Sequence, residues 1–177
     1  MDLWRLWQHP PLDGYLQPML TVEALRETER ELGVRLPEPL VGALGIQNGG
    51  LTRFTFPAPR NFDVPHSVIR GIGPGFWAIR KGAWWHTDPT FAPSPDGAEW
   101  LIPFDGGGHW DLCLDYRRSA ADDTGLRTAP SVVVVDTDRR DGGIESLVAP
   151  TFDEYLSQLV LAGAVGPVPA GAAAFSA

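Results

Sequence analysis

One cysteine and one lysine are all that the 177 residues hold of those two types. With Cys113 alone no internal disulfide can form, which fits a reducing compartment. With Lys81 the only lysine and a formal net charge of −8, a phosphate backbone would meet no cluster of cations. Nucleic acid is therefore excluded as the main partner. Long apolar runs are missing too: none approaches the roughly 18 residues of a membrane-spanning helix. Asp2 and the Pro10-Pro11 pair also break the pattern of a secretory leader. The expected location is the cytoplasm, with no membrane partner.

What is present is unusual in a different way. Seven tryptophans, 17 prolines and 20 glycines describe a turn-rich chain with bulky aromatic anchors. The length suits one domain. Residues 1–20, rich in Trp, Leu and Pro, are expected to form an arm that packs onto that domain, 21–162 the domain itself, and 163–177, all Ala, Gly, Pro and Val apart from Phe175 and Ser176, a loose tail.

Thr21 is a plausible N-cap, with Glu23 in the first turn and Val22, Leu25 and Leu32 on one apolar face. Gly33 follows as a C-terminal cap. Leu36-Pro37-Glu38-Pro39 opens a shorter helix with Leu40, Ala43 and Leu44 inward, ended by Asn48-Gly49-Gly50. From 51 to 150 the signals turn to strand: Phe54-Thr55-Phe56, Val68-Ile69, Trp100 to Phe104, and a fully apolar Val132 to Val135. The clearest alternation is 110–117, with Trp110, Leu112, Leu114 and Tyr116 on one side and Asp111, Cys113, Asp115 and Arg117 on the other. Thr151 followed by Glu154 has the form of a capping box, and Phe152, Tyr155, Leu156, Leu159 and Val160 follow helical spacing behind it. Two helices, several strands, then a helix predict an α+β fold with a mostly antiparallel sheet flanked by N-terminal and C-terminal helices.

These pieces, in this order, resemble a known family. Glu29-x-x-Leu32-Gly33-x-x-Leu36-Pro37 with Asn48-Gly49-Gly50 is similar to the opening of a SUKH domain, the Smi/Knr-type fold. Ile102-Pro103-Phe104-Asp105-Gly106-Gly107-Gly108 with Cys113-Leu114-Asp115 resembles its central signature. Val132 to Asp136 and Ala149 to Leu156 resemble its closing strand and helix. The resemblance implies a non-catalytic protein-binding module. In the bacterial branch, which the Arg-over-Lys and Ala/Gly/Pro bias favours, it implies an immunity protein that neutralises a cognate toxin. The fungal branch implies a regulatory scaffold of cell-wall synthesis and signalling.

Several constellations invite catalysis or metal binding, and each has a plainer account. Asp105, His109, Asp111 and Asp115 fall within eleven positions and could suit a divalent ion in a metal-dependent hydrolase. No second His or Cys stands at ligand spacing, so they read as solvent-facing polar positions. Cys113 and His109 lie four strand positions apart, too far for a thiol and its base. Gly71-x-Gly73-x-Gly75 lacks the helix a phosphate loop requires and reads as a turn. Asp136 to Gly143 has alternating acids broken by two arginines and reads as a hairpin turn rather than a calcium loop. No catalytic residue, cofactor or metal is expected.

Binding residues are expected instead on an aromatic and acidic surface. Trp84 and Trp85, taken as strand neighbours, cannot both enter one core face, so one is available as an anchor. Asp88, Asp105, His109, Asp111, Asp122 and Asp123 would steer a basic protein partner, such as a toxin domain, towards it.

Overall fold

Helix α1 runs from Val22 to Leu32 because both of its ends are written locally. The Thr21 hydroxyl accepts from the Ala24 amide at 3.1 Å, and Gly33 closes the helix at φ 70°, a left-handed conformation that costs glycine nothing. Helix α2, Glu38–Ile46, starts on Pro37 and Pro39 and buries Leu40, Ala43 and Leu44. Short strands β1 (Gly50–Leu51), β2 (Phe54–Thr55) and β3 (Val68–Ile69) follow, then a single helical turn α3, Trp84–Thr87. The central elements are β4 (Leu101–Gly106), β5 (Trp110–Asp115), β6 (Ser131–Asp136) and β7 (Ile144–Ala149), with α4 (Phe152–Gln158) and β8 (Val160–Leu161) last. Residues 2–56, 67–87, 95–106, 110–136 and 144–162 are described by this structure, a computed structural model. The tail and the 137–143 turn read from the sequence lie outside them.

The sheet order is β4-β5-β6-β7, with β1 paired to β3 and β2 to β8, and every one of these strand pairs is antiparallel. The fold is α+β. On the inner face, Leu112, Leu114, Val132 and Val134 pack with α2 and with Phe152, Tyr155 and Leu156 of α4. Phe104 meets Phe152 and Tyr155 edge-on at 5.4 and 5.2 Å, the favoured geometry for aromatic pairs. At α4 the N-cap bond forms as read: the Glu154 amide donates to the Thr151 hydroxyl at 3.2 Å. Val22, in contrast to the expected apolar face, is 56% exposed.

Two expectations are corrected by the sheet's outer face. Asp111 and Cys113 do point away from the main core, and Asp111, expected at the surface, is fully buried beside Cys113. A second apolar layer covers them, made by Ala83, Trp85, Leu101, Cys113, Val133 and Val135. Trp85 belongs not to a strand but to α3, which lays it flat on that face. The alternation was legible; that both of its sides are covered was not.

The Gly71–Gly75 loop is a series of bends, as read, and its glycines have a packing reason. Residues 15–18 of the N-terminal arm lie directly on it. A Cβ at Gly71 would stand 2.5 Å from the Asn48 carbonyl oxygen, and Cβ atoms at Gly73 and Gly75 would stand 2.5 Å from the Gln17 amide. Asn48 ties the two segments, donating to the Pro18 and Ile72 carbonyls and accepting from the Ile72 amide at 2.8 Å.

Candidate functional site

The residues expected to form one binding surface separate into a buried cluster and an exposed loop. At the centre of the first, Asp111 accepts from Trp85 Nε1 at 2.9 Å and pairs with Arg70 Nη2 at 3.3 Å. Arg70 also donates to the Gly82 carbonyl at 2.5 Å and sits 5.8 Å from the Trp77 ring centroid. Trp85 in turn stacks on His86 at 4.0 Å. The ring of His86 accepts from the Ala83 amide at Nδ1, so its proton is on Nε2, shared between the Ala98 and Leu101 carbonyls at 2.9 and 3.1 Å. These bonds fasten α3 and the Gly82 turn before it to the sheet.

Asp105 does not join Asp111. A bulge between Pro103 and Asp105 sets Asp105 opposite Leu112, which places it on the inner side of the sheet. There it is 2% exposed, accepts from the Val68 amide and raises the Tyr155 hydroxyl's pKa, although burial of Tyr155 is the larger cause. The expectation that Asp105 and Asp111 face solvent is thus corrected: one bulge and one covering helix take them inside. Asp88 and His109 lie outside the described residues, as does the side chain of Trp84. Among the described residues no three His, Cys, Asp or Glu side chains are grouped to hold a metal ion.

Cys113 has a thiol that burial, and secondarily the charge of Asp111, pushes well above its usual range. A thiol so placed is neutral and screened from reagents. The native protein should therefore give no colour with a disulfide exchange reagent at neutral pH, and one equivalent after unfolding in guanidinium. Rapid reaction of the folded protein would contradict the burial.

Asp122 and Asp123 remain at the surface, in the loop between β5 and β6. Asp123 is exposed, whereas Asp122 anchors the loop. Its carboxylate accepts from the Thr124 hydroxyl and amide at 2.6 and 2.8 Å, from the Leu126 amide at 3.1 Å, and from Arg35 at 3.3 Å. The Thr124 hydroxyl first, then these other donors, hold its pKa down to about 2. A depressed carboxyl contributes its stabilisation above the unfolded value near ~3.9 and loses it as pH falls towards the folded one. An NMR titration should show the Asp122 carboxyl protonating below its neighbours, and Asp122→Asn should speed amide exchange at Thr124 and Leu126 at neutral pH.

Arginines do much of the positioning that the sequence left unassigned. Arg35 spans Glu29 at 2.8 Å and Asp122, joining the end of α1 to the loop. Arg127 lies 4.1 Å over the Trp100 ring and donates to the Tyr116, Arg117 and Ser119 carbonyls. Arg117 bridges Asp115, at 2.7 Å, and Glu145. Burial pushes the Asp115 carboxyl up, but the Arg117 hydrogen bonds outweigh it and hold it below the usual range. Asp115, Arg117 and Glu145 rim a groove of 470 Å³ on the sheet's outer face, floored by Val133 and Leu147.

What the surface offers is a charged, contoured exterior on a rigid sheet. A family model described as the SMI1/KNR4 family (SUKH-1) matches residues 19–158. No curated protein and no solved structure matches the chain.

Proposed function

Because the chain belongs to the SMI1/KNR4 family (SUKH-1), whose members are in general non-catalytic immunity or regulatory proteins, we propose that it is an immunity protein. It binds a cognate bacterial toxin and silences it by surface contact. The observation that carries this reading is the family match, which spans the whole run from α1 through the central sheet to α4. The net charge of −8 supports a basic partner, since it raises the rate of encounter with a cationic surface. Asp123 and the Asp122 loop serve that steering; Trp85, Asp105 and Asp111 serve the scaffold. The setting is the cytoplasm of a bacterial cell, and no helix among the described residues is long and apolar enough to cross a membrane.

The test is a tagged pull-down from the native host with mass spectrometry of what is retained stoichiometrically. A basic toxin domain, whose purified activity is lost on adding this protein, is the expected result. Retention of several regulatory proteins instead would favour the scaffold role. Hydrolysis by the purified protein, or a thermal shift with divalent ions, would revive the enzyme alternative.

A further inference from the structure

Soluble proteins rarely leave several large apolar side chains exposed on neighbouring segments without a use for them. Here Leu12, Leu16, Met19 and Val22 are 47, 38, 85 and 56% exposed, the first three on the strap that leads into α1 and Val22 at the helix's first position. The strap crosses the Gly71–Gly75 loop, and the loop adds Phe76, 81% exposed. Tyr15 stacks on Trp77 at 5.1 Å, and Phe76 stands edge-on to the same Trp77 ring at 5.3 Å. Strap and loop therefore meet through the Tyr15, Trp77 and Phe76 rings.

The junction between the two is fixed. Gln17 is 8% exposed and accepts from the Gly75 amide at 2.8 Å, its backbone amide donates to the Asn48 carbonyl at 2.8 Å, and the loop glycines admit no side chain between the two segments. Aromatic side chains held on a rigid base lose little freedom when a partner covers them. Such residues dominate the binding energy at protein interfaces.

Charge selects the partner. Asp13 is the one charged residue of the strap, Glu23 follows in the first turn of α1, residues 71–79 carry no charge, and the Arg70 guanidinium near Trp77 is already paired with Asp111. A second copy of this chain would bring like charges together, and an anionic membrane would be repelled by the same two acids. An apolar knob ringed by Lys or Arg fits both features. We propose that the strap and loop, with Met19 and Phe76 their most exposed apolar side chains, are the contact surface for the basic protein partner. This rests on the immunity reading and names the surface through which it operates.

The experiment uses the full chain and, as probe, the basic protein retained in the pull-down, purified and identified. Phe76→Glu and Met19→Glu place charge on exposed side chains, so thermal unfolding should be unchanged while Kd weakens about tenfold or more. Asp13→Lys with Glu23→Lys should slow association and flatten its salt dependence. Leu147→Glu, in the groove on the sheet's outer face, should bind as the parent does. Unchanged affinity for Phe76→Glu and Met19→Glu, or loss with Leu147→Glu alone, would overturn the surface and leave the immunity reading standing. A parent dimer dissociated by Phe76→Glu would overturn it in favour of self-association. If no protein is retained at all, the immunity reading fails and the proposal falls with it.

Discussion

Asp111→Ala should destabilise the protein by about 3–5 kcal/mol, the cost of stranding a buried charge. Asp111 is fully buried and its partner Arg70 is 5% exposed, with the Nε of Arg70 lacking an acceptor among the described residues. Among the described residues, removing the carboxylate leaves the guanidinium with two carbonyls, Gly82 and Gly106, and no countercharge. It also leaves Trp85 Nε1 without the acceptor that fixes α3 to the sheet. Asp111→Asn keeps an acceptor for Trp85 and removes only the charge, so it should fall between the parent and Asp111→Ala. The double substitution Arg70→Met with Asp111→Leu should recover most of the loss, because it removes both charges together. Urea denaturation followed by tryptophan fluorescence reads all three. A loss below about 1 kcal/mol for Asp111→Ala would mean that water reaches Arg70 and that the clamp is not closed.

How legible this arrangement was depends on how far apart its partners lie in the chain. The helix ends were readable because their partners are three residues away: Thr21 with Ala24, Thr151 with Glu154. The β5 alternation was readable for the same reason, as a local period. Arg70 gave no sign of its role, since its carboxylate lies 41 positions along. The Trp84-Trp85 pair has a β-compatible composition, yet it forms a helical turn because Trp85 gains a buried face and a hydrogen bond there. Asp105 changed sides through a single bulge, which no spacing rule reveals. Of the acids read as a binding surface, Asp105 and Asp111 are therefore buried, while Asp122 and Asp123 stay at the surface. The strap-and-loop surface went unread because its residues come from two stretches more than 50 positions apart, and only the fold brings Tyr15 to Trp77.

Trp7→Ala should cost about 3–5 kcal/mol, whereas Trp4→Ala should stay within about 0.5 kcal/mol. Both tryptophans sit in the first turns of the arm, ahead of the segment that the family model matches. Trp4 is 72% exposed, while Trp7 and its neighbour Leu6 are fully buried in the main core. Trp7 Nε1 donates to the Ala43 carbonyl at 3.2 Å, so the substitution opens a cavity and strips a partner from α2. Backbone pairing continues on either side: the Gln8 amide reaches the Leu51 carbonyl at 2.9 Å, and the Arg53 amide reaches the Leu6 carbonyl at 2.8 Å. These bonds hold the arm's register even when the indole is gone, so the expected loss is of packing rather than of topology. The consequence reaches the proposed contact face, because the strap at 12–22 is tethered through this anchor at one end and α1 at the other. Loosening the anchor should therefore weaken partner binding even though Trp7 itself never meets the partner. Trp7→Ala that lost stability and bound as well as the parent would show that Gln17 and Asn48 alone hold the strap in place.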